Sequence, residues 1–377
     1  MTKEYGVGII GCGNISGAYF KLIPMFKNLR IVSCTDINME TARARGAEFG
    51  VDAQEIDELL ANPAVDVVVN LTIPEAHFPV SKKALEAGKH VYSEKPFVLT
   101  IEEGEELRGI ADARGLKVGS APDTYLGGSH QYARHLIDSG RIGKVTSGSA
   151  HVLGPGMEMW HPNPDFFFRP GGGPILDMGP YYVNNLVNLI GPVKRVVALA
   201  NKGKAERVIS NGPRNGETVP VVIPTNIHAI LEFTSGAAVS LTASWDVWAH
   251  RHQNMELYGT EGAIFVPDPN FFGGKVELAG TDQEPREMEV WDHPMTRQNY
   301  EFAWGAQANY RGVGLSDMMM AVETGRDYRC SLDRSLHTID VLTSILRAAE
   351  EGRAIDIRTT CTQPAAFGIE EARALLR

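Results

Sequence analysis

Short apolar runs and longer amphipathic stretches alternate through the first third of the chain. The runs YGVGII, RIVSCTD, VDVVVNLTI, KHVYSEK and LKVGSAP are brief and rich in Val and Ile, the pattern of buried strands. Between them METARARGAEFG and AHFPVSKKALEAGK have helical spacing, and the first ends on a glycine suited to a C-cap. Strand–helix alternation of this kind predicts βαβ units, hence a parallel sheet with helices on both faces. This α/β domain is placed at residues 1–122, ending near Pro122. One more helix, GSHQYARHLIDSGRIG, follows, and then the pattern changes. KVTSGSAHVLG, VKRVVALANK, VVIPTNIHAILEFTSGAAVSLTASWDVWA, HQNMELYGTEGAIFVPD and GGKVELAG are strands divided by Gly, Asn and Asp turns. Two helical stretches, SDMMMAVETG and SLHTIDVLTSILRAAEEG, close the chain. Residues 123–377 are therefore expected to form an α+β domain with a large, mostly antiparallel open sheet.

Composition narrows the class without naming it. A chain of 377 residues exceeds one ordinary core, and 43% hydrophobic with 22% charged residues is average for folded domains. The net charge of −10 has no basic run to offset it, so no nucleic-acid partner is expected and a small neutral ligand is. No apolar run is long enough for a membrane span, and the N-terminus lacks the pattern of a secretory leader. A cytoplasmic protein with no membrane partner is the expectation. Cys12, Cys34, Cys330 and Cys361 show neither metal nor redox spacing and read as ordinary reduced thiols; no metal is expected.

The first chemical signal is GIIGCGNIS, which follows the first strand and opens a helix. Gly11 and Gly13 supply the tight turn and close backbone approach that a pyrophosphate needs, and Ser16 is small enough for the third fingerprint position. Asn14 and Ile15 complete the set of candidate cofactor contacts in this turn. The second strand ends on Asp36, where a carboxylate meets the ribose hydroxyls of a bound dinucleotide. That charge repels a 2′-phosphate, and neither Ile37 nor Asn38 offers a compensating cation. The N-terminal domain is read as a Rossmann dinucleotide-binding domain that takes NAD in preference to NADP; the alternative is a plain strand–helix turn.

Three further segments carry a family resemblance. YSEKPFVLT contains Glu94-Lys95-Pro96 after a parallel strand, NLTIPEAHF runs from Asn70 to Phe78, and GGGPILDMGPYY starts at Gly171. In this order over both domains they resemble the glucose–fructose oxidoreductase, inositol dehydrogenase and MocA family. The resemblance implies an NAD(P)-dependent oxidoreductase acting on a sugar, polyol or related hydroxy compound, and a homodimer or homotetramer. It places Lys95 on the lysine that meets the reacting hydroxyl and the nicotinamide ribose, next to Glu94 and to a peptide before Pro96 that is often cis. Thr72, Pro74 and His77 would line the cofactor pocket; for His77 a capping or packing role is the equal alternative. Trp160, His161, Asn163 and Phe168, with Trp248 and His250 in WDVWAHRH, are candidates for a sugar-facing wall or for plain loop packing.

The second motif departs from the family pattern, because Tyr181 and Asn184 stand where most members have a histidine and a second acid. Tyrosine at this position also occurs in glucose–fructose oxidoreductase, which the resemblance ties to sugar redox chemistry. Asp177 and Tyr181, spaced i, i+4, share a face of any helical turn, whereas Tyr182 rotates toward a core. The catalytic set expected is Lys95, Asp177 and Tyr181, with Tyr181 carrying the proton, Lys95 lowering its pKa and Asp177 orienting it. The structural alternative makes Asp177 a helix N-cap and both tyrosines core. Two other functions stand beside the dehydrogenase: a dinucleotide-binding regulator of sugar pathways without turnover, and an enzyme that oxidises a glycoside transiently and eliminates its aglycone.

Overall fold

The structure, a computed structural model, describes residues 3–377. The chain divides into two compact units, each discontinuous: Met1–Gly128 with Asp292–Ile339 and Pro364–Arg377, and Ser129–Trp291 with Asp340–Gln363. In the first unit β1 (Tyr5–Ile10), β2 (Leu29–Thr35), β3 (Asp52–Ala53), β4 (Val67–Asn70), β5 (His90–Ser93) and β6 (Val118–Ser120) form one sheet in the order β3-β2-β1-β4-β5-β6. Every pairing is parallel. All residues of β1 and β4 are buried, as unbroken apolar runs in a sheet covered on both faces should be. Helices follow the strands as expected: Met39–Phe49, which ends on Gly50 at φ 67°, Pro74–Glu86 and Ile101–Arg114. Only the two-residue β3 has no counterpart among the expected strands.

The boundary drawn at Pro122 differs from the observed division, because residues 292–339 and 364–377 pack with the first unit. Buried polar groups account for it. The Asp123 carboxylate accepts from the amides of Gly312 (2.9 Å) and Gly314 (3.0 Å), and Asn28 donates to the Ser316 carbonyl at 2.9 Å. Arg329, 6% exposed, joins Asp317 to Glu371. Leu332, Leu336 and Ile339 complete the apolar core around β4, β5 and the Ile101–Arg114 helix.

The second unit is built on β7 (Val145–Leu153), β8 (Val193–Asn201), a separate small pair β9 (Glu206–Val208) and β10 (Thr218–Pro220), then β11 (Asn226–Phe233), β12 (Ala238–Ser244), β13 (Met255–Gly259), β14 (Ala263–Val266), β15 (Glu277–Ala279) and β16 (Arg286–Glu287). The hairpin β17 (Tyr300–Phe302)–β18 (Gly305–Gln307) belongs to the first unit, and β19 (Ile355–Asp356) returns to the second. The nine-stranded sheet runs β16-β15-β14-β13-β7-β12-β11-β8-β19, and only the β12–β7 pairing is parallel. In β11 the buried Ile227, Ala229, Leu231 and Phe233 alternate with His228, Ile230 and Glu232. The inward set packs against the helix Gly179–Ile190 and against Val341, Leu342 and Ile345. The outward side carries exposed Val197, Leu199 and Ile230 beside a hollow of about 530 Å³. Among the described residues no helix is long and apolar enough to cross a membrane.

Candidate functional site

Strand order in the first unit reverses between β1 and β4, and ligands of doubly wound sheets bind at the carboxyl ends of strands flanking such a point. A cleft of about 590 Å³ lies there, lined by Gly11, Gly13, Asp36, Ile37 and Thr72 among others. Gly11 has φ 100°, and a Cβ on it would stand 2.7 Å from the Leu71 carbonyl, so no other residue fits the turn. A Cβ on Gly13 would meet nothing within 4 Å, so the backbone lies bare where a pyrophosphate has to pass close. Ser16 is fully buried and its hydroxyl donates to the Gly13 carbonyl at 2.6 Å. Asp36 is fixed by two amides: Oδ2 accepts from Cys12 N at 2.8 Å and Oδ1 from Asn38 N at 2.9 Å. Among the described residues no Lys or Arg lines the cleft, and Ile37 beside Asp36 is fully exposed. The Asp36 carboxylate beside a bare glycine turn fits the ribose and pyrophosphate of NAD, and Arg45, whose Nη2 donates to the Gly13 carbonyl at 3.4 Å, stands next to that turn. Asn14 and Ile15 face a neighbouring polar hollow that also holds Lys21, Arg45 and Arg311.

At the end of β5, Glu94 is 7% exposed and bonded on both oxygens. Oε1 accepts from the Tyr19 hydroxyl at 2.8 Å and Oε2 from the backbone amide of Lys95 at 2.9 Å. The carboxylate therefore fixes the point from which the Lys95 side chain departs, and the Lys95–Pro96 peptide is cis. His77 is buried and does not line the adenosine cleft. Its Nδ1 lies 2.6 Å from the Pro96 carbonyl and its Nε2 3.0 Å from that of Thr72. Burial pulls the imidazole pKa below its ordinary value, while the two carbonyls pull it up. The ring braces the turn after Lys95 against the turn after β4. Pro74 opens the Pro74–Glu86 helix, and Thr72 is held by Asn70, whose Oδ1 accepts from the Thr72 hydroxyl at 2.6 Å. Asn70 and Tyr19 were not singled out in the sequence. Asn70 also donates to the His77 carbonyl at 3.0 Å, seven residues on, and the Tyr19 partner Glu94 lies 75 residues away, which no local pattern shows.

In the second unit, GGGPILDMGPYY folds as a short helix Pro174–Asp177 joined through Met178 to the helix Gly179–Ile190. Asp177 ends the first helix; the residue flanking the second is Met178, and no side chain caps it. Tyr181 is 5% and Tyr182 1% exposed, and both rings belong to the main core of this unit. Tyr182 is more than core filling. Its hydroxyl donates to Asp268 Oδ1 at 3.1 Å and accepts from Asn254 Nδ2 at 3.2 Å.

A cavity of about 300 Å³ adjoins this hydroxyl and Met178. Of the wall candidates, Trp160 and His250 line it. Phe168 is fully buried in a separate cluster with Trp245, and Trp248 and Asn163 are exposed. His161 packs its ring edge-on against Trp160, Phe166 and Phe167. Arg207, 3% exposed, holds two walls together: it pairs with Glu158 and Asp246 and donates to the carbonyls of Pro155 and Trp245. Nothing in KAERVIS marks this arginine in advance. All four cysteines are buried free thiols.

Comparison with known proteins agrees with this geometry. Residues 5–121 match the model of the oxidoreductase family with an NAD-binding Rossmann fold, and residues 130–265 match the GFO/IDH/MocA C-terminal domain. An uncharacterised oxidoreductase of Schizosaccharomyces pombe is 32% identical over 179 residues, 44% of this chain, and the match spans about half of that protein (48%). A D-xylose dehydrogenase of Paenarthrobacter nicotinovorans is 26% identical, covering 82% of this chain and 81% of its own. Levoglucosan dehydrogenase in complex with NADH and L-sorbose shares the fold at a TM-score of 0.79 and 22% identity, over 95% of this chain and 100% of that one. Matched by models of both its domains over well more than half its length, the chain belongs to the GFO/IDH/MocA family of NAD-binding oxidoreductases.

Proposed function

We propose that the protein oxidises or reduces a hydroxyl carbon of a small, neutral sugar or polyol with NAD as hydride partner. The observation that carries this reading is the Glu94-Lys95-Pro96 turn: a lysine whose backbone is fixed by a buried, doubly bonded carboxylate at the carboxyl end of β5. A regulator that only binds a dinucleotide has no chemical need for a lysine held this way. Relatives named D-xylose dehydrogenase and 1,5-anhydro-D-fructose reductase support sugars as the substrate class. NAD, when bound, accepts or supplies the hydride. In the oxidative direction Lys95 donates a hydrogen bond to the reacting hydroxyl, and the proton lost from that oxygen passes to the Tyr181 oxygen, which must act as the phenolate and ends as the neutral phenol, with Asp177 as its orienting group. Asp36 selects NAD over NADP by charge.

The exposed apolar side chains Val197, Leu199 and Ile230 on the outer sheet face support a homo-oligomer, which light scattering of the purified protein tests directly. The function is tested on a panel of sugars, polyols and glycosides followed by NADH absorbance. Net NADH from a sugar or polyol supports a dehydrogenase. Aglycone release without net NADH supports transient oxidation, and binding without either product supports a regulator.

A further inference from the structure

We infer that the second-unit cavity is a recognition pocket for one unphosphorylated sugar ring, with Asp268 as its hydroxyl acceptor and Tyr182 and Asn254 as the residues that hold it. The ligand class rests on the sugar-oxidoreductase reading above; the pocket's own chemistry narrows it.

Asp268 sits just after β14 and is the only acid lining the cavity among the described residues. One of its oxygens is committed: Oδ1 accepts from the Tyr182 hydroxyl at 3.1 Å and from the Asn270 amide at 3.0 Å. No described residue donates to Oδ2. Asn254 donates to the Tyr182 oxygen at 3.2 Å, so the three side chains form a chain, Asn254 to Tyr182 to Asp268. The Asn254 side-chain oxygen likewise has no donor among the described residues. Two acceptors held rigidly at one end of a small cavity suit adjacent hydroxyls of a polyol, which must donate when taken out of water. Burial pushes the Asp268 carboxyl up, and the Tyr182 and Asn270 donors oppose that shift.

The remaining walls suit a ring. Trp160, Trp245, Met157 and Met178 line them, and aromatic and thioether surfaces pack on the apolar faces of sugars. Met178 and Tyr182 are i, i+4 across the helix junction and share a face, one position along from Asp177 and Tyr181. The cavity thus borders the very motif assigned to proton transfer. Its volume of about 300 Å³ is at the lower limit for ligand pockets and matches a monosaccharide or short polyol. Among the described residues no Lys or Arg lines it, and the titratable groups beside Asp268 are Tyr182 and the imidazoles of His151 and His250. Burial and the neighbouring His252 hold His151 below the ordinary imidazole value, so it stays neutral at pH 7.5. An anionic ligand would face the Asp268 charge without a counter-ion.

The test uses the full-length protein loaded with NADH, so that no alcohol is oxidised during the measurement. D-xylose and D-glucose are titrated by ligand-observed NMR at pH 7.5, with D-glucose 6-phosphate and D-glucuronate as anionic counterparts. The expected result is saturable binding of at least one neutral sugar, with its anionic counterpart at least ~10-fold weaker. Asp268→Asn should weaken the neutral sugar by ~10-fold or more and narrow the discrimination against the phosphate. Tyr182→Phe and Asn254→Ala should weaken it several-fold, with NADH affinity unchanged in all three. Asn254, only part-buried, gives the reading if Asp268→Asn fails to fold. Failure of both neutral sugars to bind wild type overturns the proposal. So does equal binding of the phosphate, or well-folded Asp268→Asn and Asn254→Ala variants within about twofold of wild type. Binding is read without turnover: a protein that passes here yet makes no NADH refutes the oxidoreductase reading and leaves this pocket standing.

Discussion

Acid should destabilise the second unit through His130, a fully buried histidine on the helix Gly128–Asp138. Its Nε2 donates to the Phe271 carbonyl at 2.8 Å, and its Nδ1 accepts from Asn185 Nδ2 at 3.1 Å. The neutral ring satisfies both partners. A proton on Nδ1 would confront the Asn185 amide with a second donor, and the charge would sit in a core without a counter-ion. Burial holds the pKa at about 4, against 6.5 for a free imidazole. Between those values the unfolded chain binds a proton that the native state refuses, so stability falls as pH drops through that window. The full effect is about 3.4 kcal/mol, of which about 2 kcal/mol is lost between pH 7 and pH 5. That is a Tm decrease of roughly 4–8 °C for a folding unit of this size. His130→Gln retains a donor for Phe271 and an acceptor for Asn185 but cannot titrate. It should cost about 1–2 kcal/mol at pH 7 through imperfect packing, and nearly nothing relative to wild type at pH 5. His293, also held at about 4 by burial, contributes the same sign in both proteins and cancels in the comparison. Tm measured every half pH unit gives the two curves. Parallel curves for wild type and His130→Gln would refute the reasoning.

Asp123 should act in the opposite sense: burial raises its carboxyl to about 6, so the native state keeps a proton above pH 4 and loses stability as pH rises through 6. Asp123→Asn should remove that loss, gaining up to about 3 kcal/mol at pH 8 and nothing at pH 4 in urea titrations. Asp36→Ala removes the ribose acceptor and the charge that repels a 2′-phosphate; fluorescence titration should show NAD weakened by ~10-fold or more while NADP tightens. Tyr181→Phe should lose most of kcat with little change in KM, and Tyr182→Phe should raise KM more than it lowers kcat. If Tyr182→Phe is the inactive one, the proton carrier has been assigned one position too early.

The first-unit sheet was legible because each parallel strand is a short apolar run and each helix carries its own stop, such as Gly50. The glycine turn at Gly11 and Gly13 and the strand end at Asp36 were legible for the same reason: each is local in the sequence. The return of residues 292–339 and 364–377 to the first unit was not, since polar contacts such as Asp123 with Gly312 leave no periodicity and the apolar side chains Leu332, Leu336 and Ile339 do not show which core they join. The second motif was legible in place but not in detail. Helical spacing put Tyr182 toward a core, where it is, yet the Asp268 and Asn254 partners of its hydroxyl lie 86 and 72 residues away. Phe168 shows the limit of composition, because an aromatic in a Pro-rich loop reads equally as ligand wall and as the buried residue it is.

The central claim is that Lys95 performs hydride-linked chemistry on a neutral sugar. The most direct measurement is steady-state NADH formation by wild type and Lys95→Ala on the best substrate of the sugar panel, with NAD affinity titrated separately. The account predicts NADH accumulating in step with sugar oxidised, a kcat at least ~100-fold lower in the variant, and NAD affinity within about threefold of wild type. A Lys95→Ala enzyme turning over within about threefold of wild type, or no NADH from any sugar on the panel, would contradict it.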